Sequence, residues 1–138
     1  MAVFFHFQDV KDTLSQKRKH KRWIASVIES NNRELGNINY IFCGDNYLLS
    51  INQQHLKHNT LTDILTFDLS DDNNVVSADI FISLDRVQEN SIKLGIPFEN
   101  ELRRVMIHGI LHILGQKDKT EKDKSRMRSA EDVALAKF

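Results

Sequence analysis

Residues 63–83 read DILTFDLSDDNNVVSADIFIS. Two β-rich runs, 63–69 and 75–83, flank a polar turn at Asp71–Asn74, and no proline interrupts them. The second run alternates, with Val76, Ala78, Ile80 and Ile82 on one face, as a half-buried strand requires. The pair predicts a β-hairpin, whose strands are antiparallel neighbours. A doubly wound fold would place a helix between every two strands. The hairpin and the helical second half of the chain therefore argue for a mixed α+β architecture.

Toward the N-terminus, His55–Leu61 reads as a loop, and Asp45 or Asn46 as the cap of a helix reaching about Leu56. A strand over Ile38–Cys43 follows Gly36. A helix over about Ser15–Asn31 has Trp23, Val27 and Ile28 on its apolar side, and a short strand lies near Val3–Phe7. Toward the C-terminus, a helix from about Asp85 to Leu94 ends at Gly95. Pro97 then marks a loop and the start of the next helix, Glu99 to Leu114, which ends at Gly115. A charged helix over about Glu121–Lys137 closes the chain. The expectation is one α+β domain spanning residues 1–138, with a small mixed sheet of about four strands and about five helices.

The whole composition agrees. The 138 residues are 41% hydrophobic and 28% charged, which excludes a disordered chain. No apolar run approaches the ~18–20 residues of a membrane span. The N-terminal stretch MAVFFHFQDVKD lacks the features of a secretory leader, and Cys43 has no second cysteine to pair with. A cytoplasmic protein is expected. Net charge is zero, but residues 17–22 (KRKHKR) carry +5 and residues 117–128 (KDKTEKDKSRMR) carry +3, so the rest carries −8. Either run suits a solvated helix face or a phosphate backbone.

The chemistry concentrates in residues 99–118, ENELRRVMIHGILHILGQKD. On a wheel of about 100° per residue, the aliphatic side chains and Gly109 cover roughly two-thirds of the circumference. That predicts a mostly buried helix. Glu101, Arg104, His108 and His112 share the narrow polar stripe that remains. Histidines at i and i+4 can converge on one metal ion at the ~2.0–2.1 Å that zinc requires. Gly115 lets the chain turn back over them, which makes Asp118 the expected third ligand. Without a metal, the two imidazoles would line a polar groove or pair with Glu101.

HGILHILGQKD resembles the H-G-x-L-H-L-x-G-Y-D-H signature of the YbeY family, bacterial single-domain endoribonucleases of rRNA maturation. LTDILTFDL and SADIFIS resemble that family's P-T-D-V-L-S-F and G-D-I-x-I-S strands, in the same order. The resemblance implies a metal-dependent, single-strand-specific endoribonuclease that acts on the 3′ end of small-subunit rRNA, in ribosome biogenesis and quality control. Its partners would be rRNA and the small ribosomal subunit, with no membrane. It implies one Zn2+ per chain, on His108, His112 and, in place of the family's third histidine, Asp118. A one-residue insertion would put Lys119 at that ligand position, but a protonated lysine has no lone pair for a metal. The His-His-Asp set also suits other divalent metals. The family's loop arginine falls at Leu56 here, leaving the phosphate-binding group and the general base unassigned. Lys57, Lys119, Lys122 and Lys124 are the expected RNA contacts, His55 and His58 could add charge from the same loop as Lys57, and the 17–22 run is expected away from the cleft.

Two other functions compete. A zincin-like metalloprotease has a glutamate after its first histidine. Gly109 stands there, so Glu101 or Asp79 would have to substitute. A ribosome-assembly factor with a structural metal would need four protein ligands. Three are found, and Cys43 reads as core.

Overall fold

The alternation in the hairpin carries through into the computed structural model, which describes residues 1–56, 62–72 and 74–138. Four strands, β1 (Val3–Phe7), β2 (Glu34–Cys43), β3 (Ile64–Asp68) and β4 (Val75–Ser83), form one sheet in the order β1-β2-β4-β3. β1, β2 and β4 run parallel, and β3 runs antiparallel to β4, pairing Ile64 with Ile82 and Thr66 with Ile80. The sheet is mixed, as the hairpin predicts.

Its five α-helices are α1 (Lys17–Ser30), α2 (Asp45–Ile51), α3 (Leu84–Leu94), α4 (Phe98–Ile113) and α5 (Glu121–Ala136). The apolar face of the sheet, Ile38, Tyr40, Phe42, Val76, Ala78, Ile80 and Ile82, is fully buried and joins one core with α1, α4 and α5. Burial of each large aliphatic side chain there contributes roughly 1.5–3 kcal/mol. Two buried hydrogen bonds fix the helices. The Tyr40 hydroxyl donates to the Met106 carbonyl at 2.9 Å, and Trp23 Nε1 donates to the Ala134 carbonyl at 2.8 Å. A smaller cluster of Cys43, Leu48 and Leu65 packs α2 on the opposite face.

Three local expectations are corrected. β2 begins at Glu34, running through Gly36 at a register irregularity. A side chain at Gly36 would collide with the Ser77 hydroxyl and come within 2.7 Å of the Val76 carbonyl, so the strand passes only with glycine. The cap of α2 is Gly44, without a side-chain bond. Asp45 lies in the first turn instead, where its carboxylate accepts from Ser83 Oγ and Arg86 Nε. The end of the helix, Asn52–Leu56, winds as a π-helical turn, so His55 and Leu56 belong to it and not to a loop. Lys57 and His58 lie outside the described residues.

Candidate active site

α4 presents the faces that its periodicity predicts. Leu102, Val105, Met106, Ile107, Gly109, Ile110 and Leu111 are buried, while His108 is half-buried and His112 exposed. Gly109 is the point of closest approach. A Cβ there would sit 3.0 Å from Ile64 Cδ1 and 3.1 Å from Thr66 Oγ1. Its absence lets α4 lie directly on β3, which brings the Thr62–Asp63 segment beside the histidines.

Gly115 turns the chain with φ 106°, a conformation that favours glycine. Its amide donates to the His112 carbonyl at 3.1 Å, and the Gln116 amide donates to Leu111 at 3.0 Å. The reversal carries Asp118 back to the helix. Thr120 then caps α5, its hydroxyl accepting from the Asp123 amide at 3.0 Å while the Asp123 carboxylate accepts in return. α5 returns along α4 and buries Met127, Glu131 and Ala134 against it.

Glu131 thus reaches His108. The His108 Nδ1 proton is donated to Glu131 Oε2 at 2.7 Å, and Arg104 donates to Oε1 of the same carboxylate at 2.9 Å. Arg104 also donates to Asp132 at 2.7 Å. With Nδ1 anchored, Nε2 faces Asp118 Oδ2 at 3.4 Å. The hydrogen bond to Glu131 raises the His108 pKa against the opposing effect of burial, helped by the charges of Asp118 and Asp63. Burial would raise the Glu131 pKa, but the bonds from His108 and Arg104 prevail and hold it below the usual range.

Two adjoining cavities of about 310 and 280 Å3 share Asp63, Ile64, His108 and Asp118 and form one cleft. His112 and Thr66 line one part, and Glu101, Arg104 and Arg128 the other. Burial pushes the carboxyls of Asp63 and Glu101 above the usual range, and Glu101 Oε1 is buried without a hydrogen-bond partner among the described residues.

The donor set suits a cation. A neutral His108 that donates through Nδ1 turns its Nε2 lone pair toward a carboxylate, and two acceptors face each other until a proton or a metal lies between them. Their 3.4 Å separation is close to the edge of a tetrahedron, about 3.3 Å, built on ~2.0–2.1 Å bonds to zinc. A carboxylate behind a histidine, as Glu131 is behind His108, orients the ring and raises its basicity. Among the described residues no three His, Cys, Asp or Glu side chains are gathered as a complete cage. His112 shares the cleft with the other two.

The structure therefore brings His108, His112 and Asp118 to one cleft. Lys119, Lys122 and Lys124 are exposed and do not line it. Asp79 lies on the opposite face of the sheet, accepting from Asn39 at 3.2 Å, so it cannot substitute for a protease glutamate. Sequence reasoning missed Asp63, Arg128 and Glu131 as cleft residues. Glu131 did leave a signal, a carboxylate four residues after Met127 on the apolar phase of an otherwise charged helix.

A family model described as Endoribonuclease YbeY matches residues 5–138. A protein of Flavobacterium psychrophilum named Endoribonuclease YbeY is 51% identical over 125 residues, covering 91% of this chain and 89% of that protein. Its namesake in Bacteroides fragilis is 41% identical over 136 residues, 99% of this chain and 97% of that one. The solution structure of TM1509 from Thermotoga maritima superposes with a TM-score of 0.69 at 23% identity, over 96% of this chain and 87% of that chain, and so shares the fold.

Proposed function

This chain belongs to the YbeY endoribonuclease family, and we propose that it is a metal-dependent enzyme that cuts single-stranded RNA internally and matures the 3′ end of small-subunit rRNA in the cytoplasm. One observation carries the metal-dependent part. His108, anchored from behind by Glu131, points Nε2 at Asp118 in an open cleft that His112 and Asp63 also line.

In this reading His108, His112 and Asp118 hold one divalent ion, zinc by the chemistry of the set. The ion supplies a Lewis acid for a phosphoryl oxygen and lowers the pKa of a water. Asp63 is the proton acceptor. Its carboxyl lies in the same cleft as His108, His112 and Asp118, within reach of a water held there. Arg128 lines the cleft as a cation for the phosphate, in the role that Leu56 cannot fill. Glu131 acts through His108, as a positioning residue. The open cleft, with room for substrate, favours catalysis over a purely structural metal.

The test is cleavage of an end-labelled RNA spanning the 3′ end of small-subunit rRNA, as a single strand and as a duplex. Internal cuts should appear in the single strand alone, vanish with a chelator and return with zinc. Cleavage indifferent to the chelator would refute the metal. No cleavage with any divalent ion would leave an assembly factor.

A further inference from the structure

A third cavity, of about 340 Å3, opens beside the cleft and shares Arg104 and Arg128 with it. Arg103 and Asn100 supply the rest of its polar wall, and Leu135 and Phe138 an apolar one. The volume is at the low end of ligand pockets, ~300 Å3 and upward, which leaves room for one nucleotide and not for a duplex. We propose that this cavity is a nucleotide subsite that holds the single-stranded RNA beyond the scissile bond. The proposal rests on the ribonuclease reading above and names where the rest of the strand lies.

Charge is the first argument. Asp63, Glu101, Asp118 and Glu131 line the cleft, whereas no Asp or Glu lines this cavity among the described residues. Arg104 is neutralised by Glu131 and Asp132. Arg103 and Arg128 close no ion pair among the described residues. Arg128 faces both spaces, so a phosphate leaving the cleft passes it on the way in.

The second argument is the state of Arg103. Its guanidinium carbon lies 4.1 Å from the centroid of the Phe138 ring, one terminal nitrogen donates to Asn100 Oδ1 at 3.4 Å, and its Nε is buried without an acceptor among the described residues. Lys19 Nζ lies 4.3 Å from the same centroid. Two cations thus converge on one ring, with no Asp or Glu lining the cavity among the described residues. The ring is also packed by His20 and Trp23, at 4.8 and 5.2 Å between centroids, so it serves to hold the two cations in place, and their charge is what a phosphate of single-stranded RNA meets. Asn100 adds an amide that can both donate to and accept from a base edge.

Lys19 also links the cavity to the run Lys17–Arg22. None of that run lines the cleft, and its residue Lys19 meets Phe138 at the rim of the adjoining cavity. The run occupies the first turns of α1, which hold no acidic residue; Lys17 pairs with Asp12 at 2.8 Å just before the helix, and Lys21 lies over the Phe5 ring. Lys19 closes no ion pair among the described residues and so is the cation of the run placed to meet a polyanion at the rim. The path then runs from the cleft past Arg128 and Arg103 to Lys19.

The test measures binding of labelled single-stranded RNAs of twelve and three nucleotides by fluorescence anisotropy, with the RNA checked intact afterward. Arg128→Gln, at an exposed side chain, and the pair Arg103→Gln with Lys19→Gln should each weaken the twelve-nucleotide RNA about tenfold at low salt. Each lost phosphate contact should reduce the salt slope by about 1. The three-nucleotide RNA should lose much less with the Arg103 and Lys19 pair. Thermal melts confirm folding, and Arg128→Gln keeps the test open if the pair does not fold. Wild-type affinity in the folded Arg103 and Lys19 variant would overturn the subsite alone, and wild-type affinity in Arg128→Gln as well would also remove the phosphate contact assigned to the cleft. A larger loss on neutralising Lys119, Lys122 and Lys124 would likewise overturn the subsite. A wild-type chain that binds neither RNA would overturn the ribonuclease reading and the subsite with it.

Discussion

Asp118 stands where the family signature has its third histidine, and the structure sets its carboxylate 3.4 Å from His108 Nε2. Asp118→His should keep or tighten zinc binding, Asp118→Ala should weaken it strongly, and Lys119→Ala should change it little. Competition with a chromophoric chelator measures all three, and loss of zinc on Lys119→Ala alone would move the ligand by one residue. Glu131 invites a separate test, because its two carboxylate oxygens are taken up by His108 and Arg104. Glu131→Gln keeps an acceptor for His108 but loses the charge that both His108 and Arg104 use. It should weaken metal binding about 10–100-fold and cost about 2 kcal/mol of stability. Asp118 was legible because a glycine turn after a helix returns the chain to that helix. Glu131 was not, because it lies on another helix and only tertiary packing makes the two meet.

At the level of elements, the interface between α4 and β3 decides the geometry of the cleft. Gly109→Ala would gain about 1 kcal/mol of helix propensity while crowding Ile64 and Thr66. Gly109→Val forces the strand away, and should cost about 1–3 kcal/mol in overpacking and lower metal affinity by displacing the cleft. Denaturant melts with and without zinc measure both effects. α1 carries a pH-sensitive element of its own. Burial lowers the pKa of His20, as do the charges of Arg103 and Lys19, against a hydrogen bond from its Nδ1 to the Gln16 carbonyl. A depressed folded-state pKa gives a contribution that is present above the unfolded value of about 6.5 and is lost as the pH falls through the folded one. The stability difference between the wild type and His20→Gln should therefore shift against the wild type from pH 7 to pH 5 in thermal melts. The periodicity of α1 and α4 predicted their buried faces well. The π-turn at Asn52–Leu56 and the glycine cap of α2 escaped, since neither follows from the period of apolar residues.

For the molecule as a whole, zero net charge hides a division of labour. Carboxylates gather with His108 and His112 in the cleft, and the cavity beside it is lined by Arg103 and Arg128, which close no ion pair among the described residues. Hydrophobic patterning made the sheet and helices legible, but the path between the two cavities depends on how α1, α4 and α5 pack together. The account as a whole depends on one claim, that His108, His112 and Asp118 hold a divalent ion. Elemental analysis of the untagged protein beside His112→Ala tests it most directly. The account predicts one divalent ion per chain in the wild type and a stoichiometry near zero in the variant. Stoichiometric metal retained by His112→Ala, or none in the wild type after exposure to zinc, would contradict it.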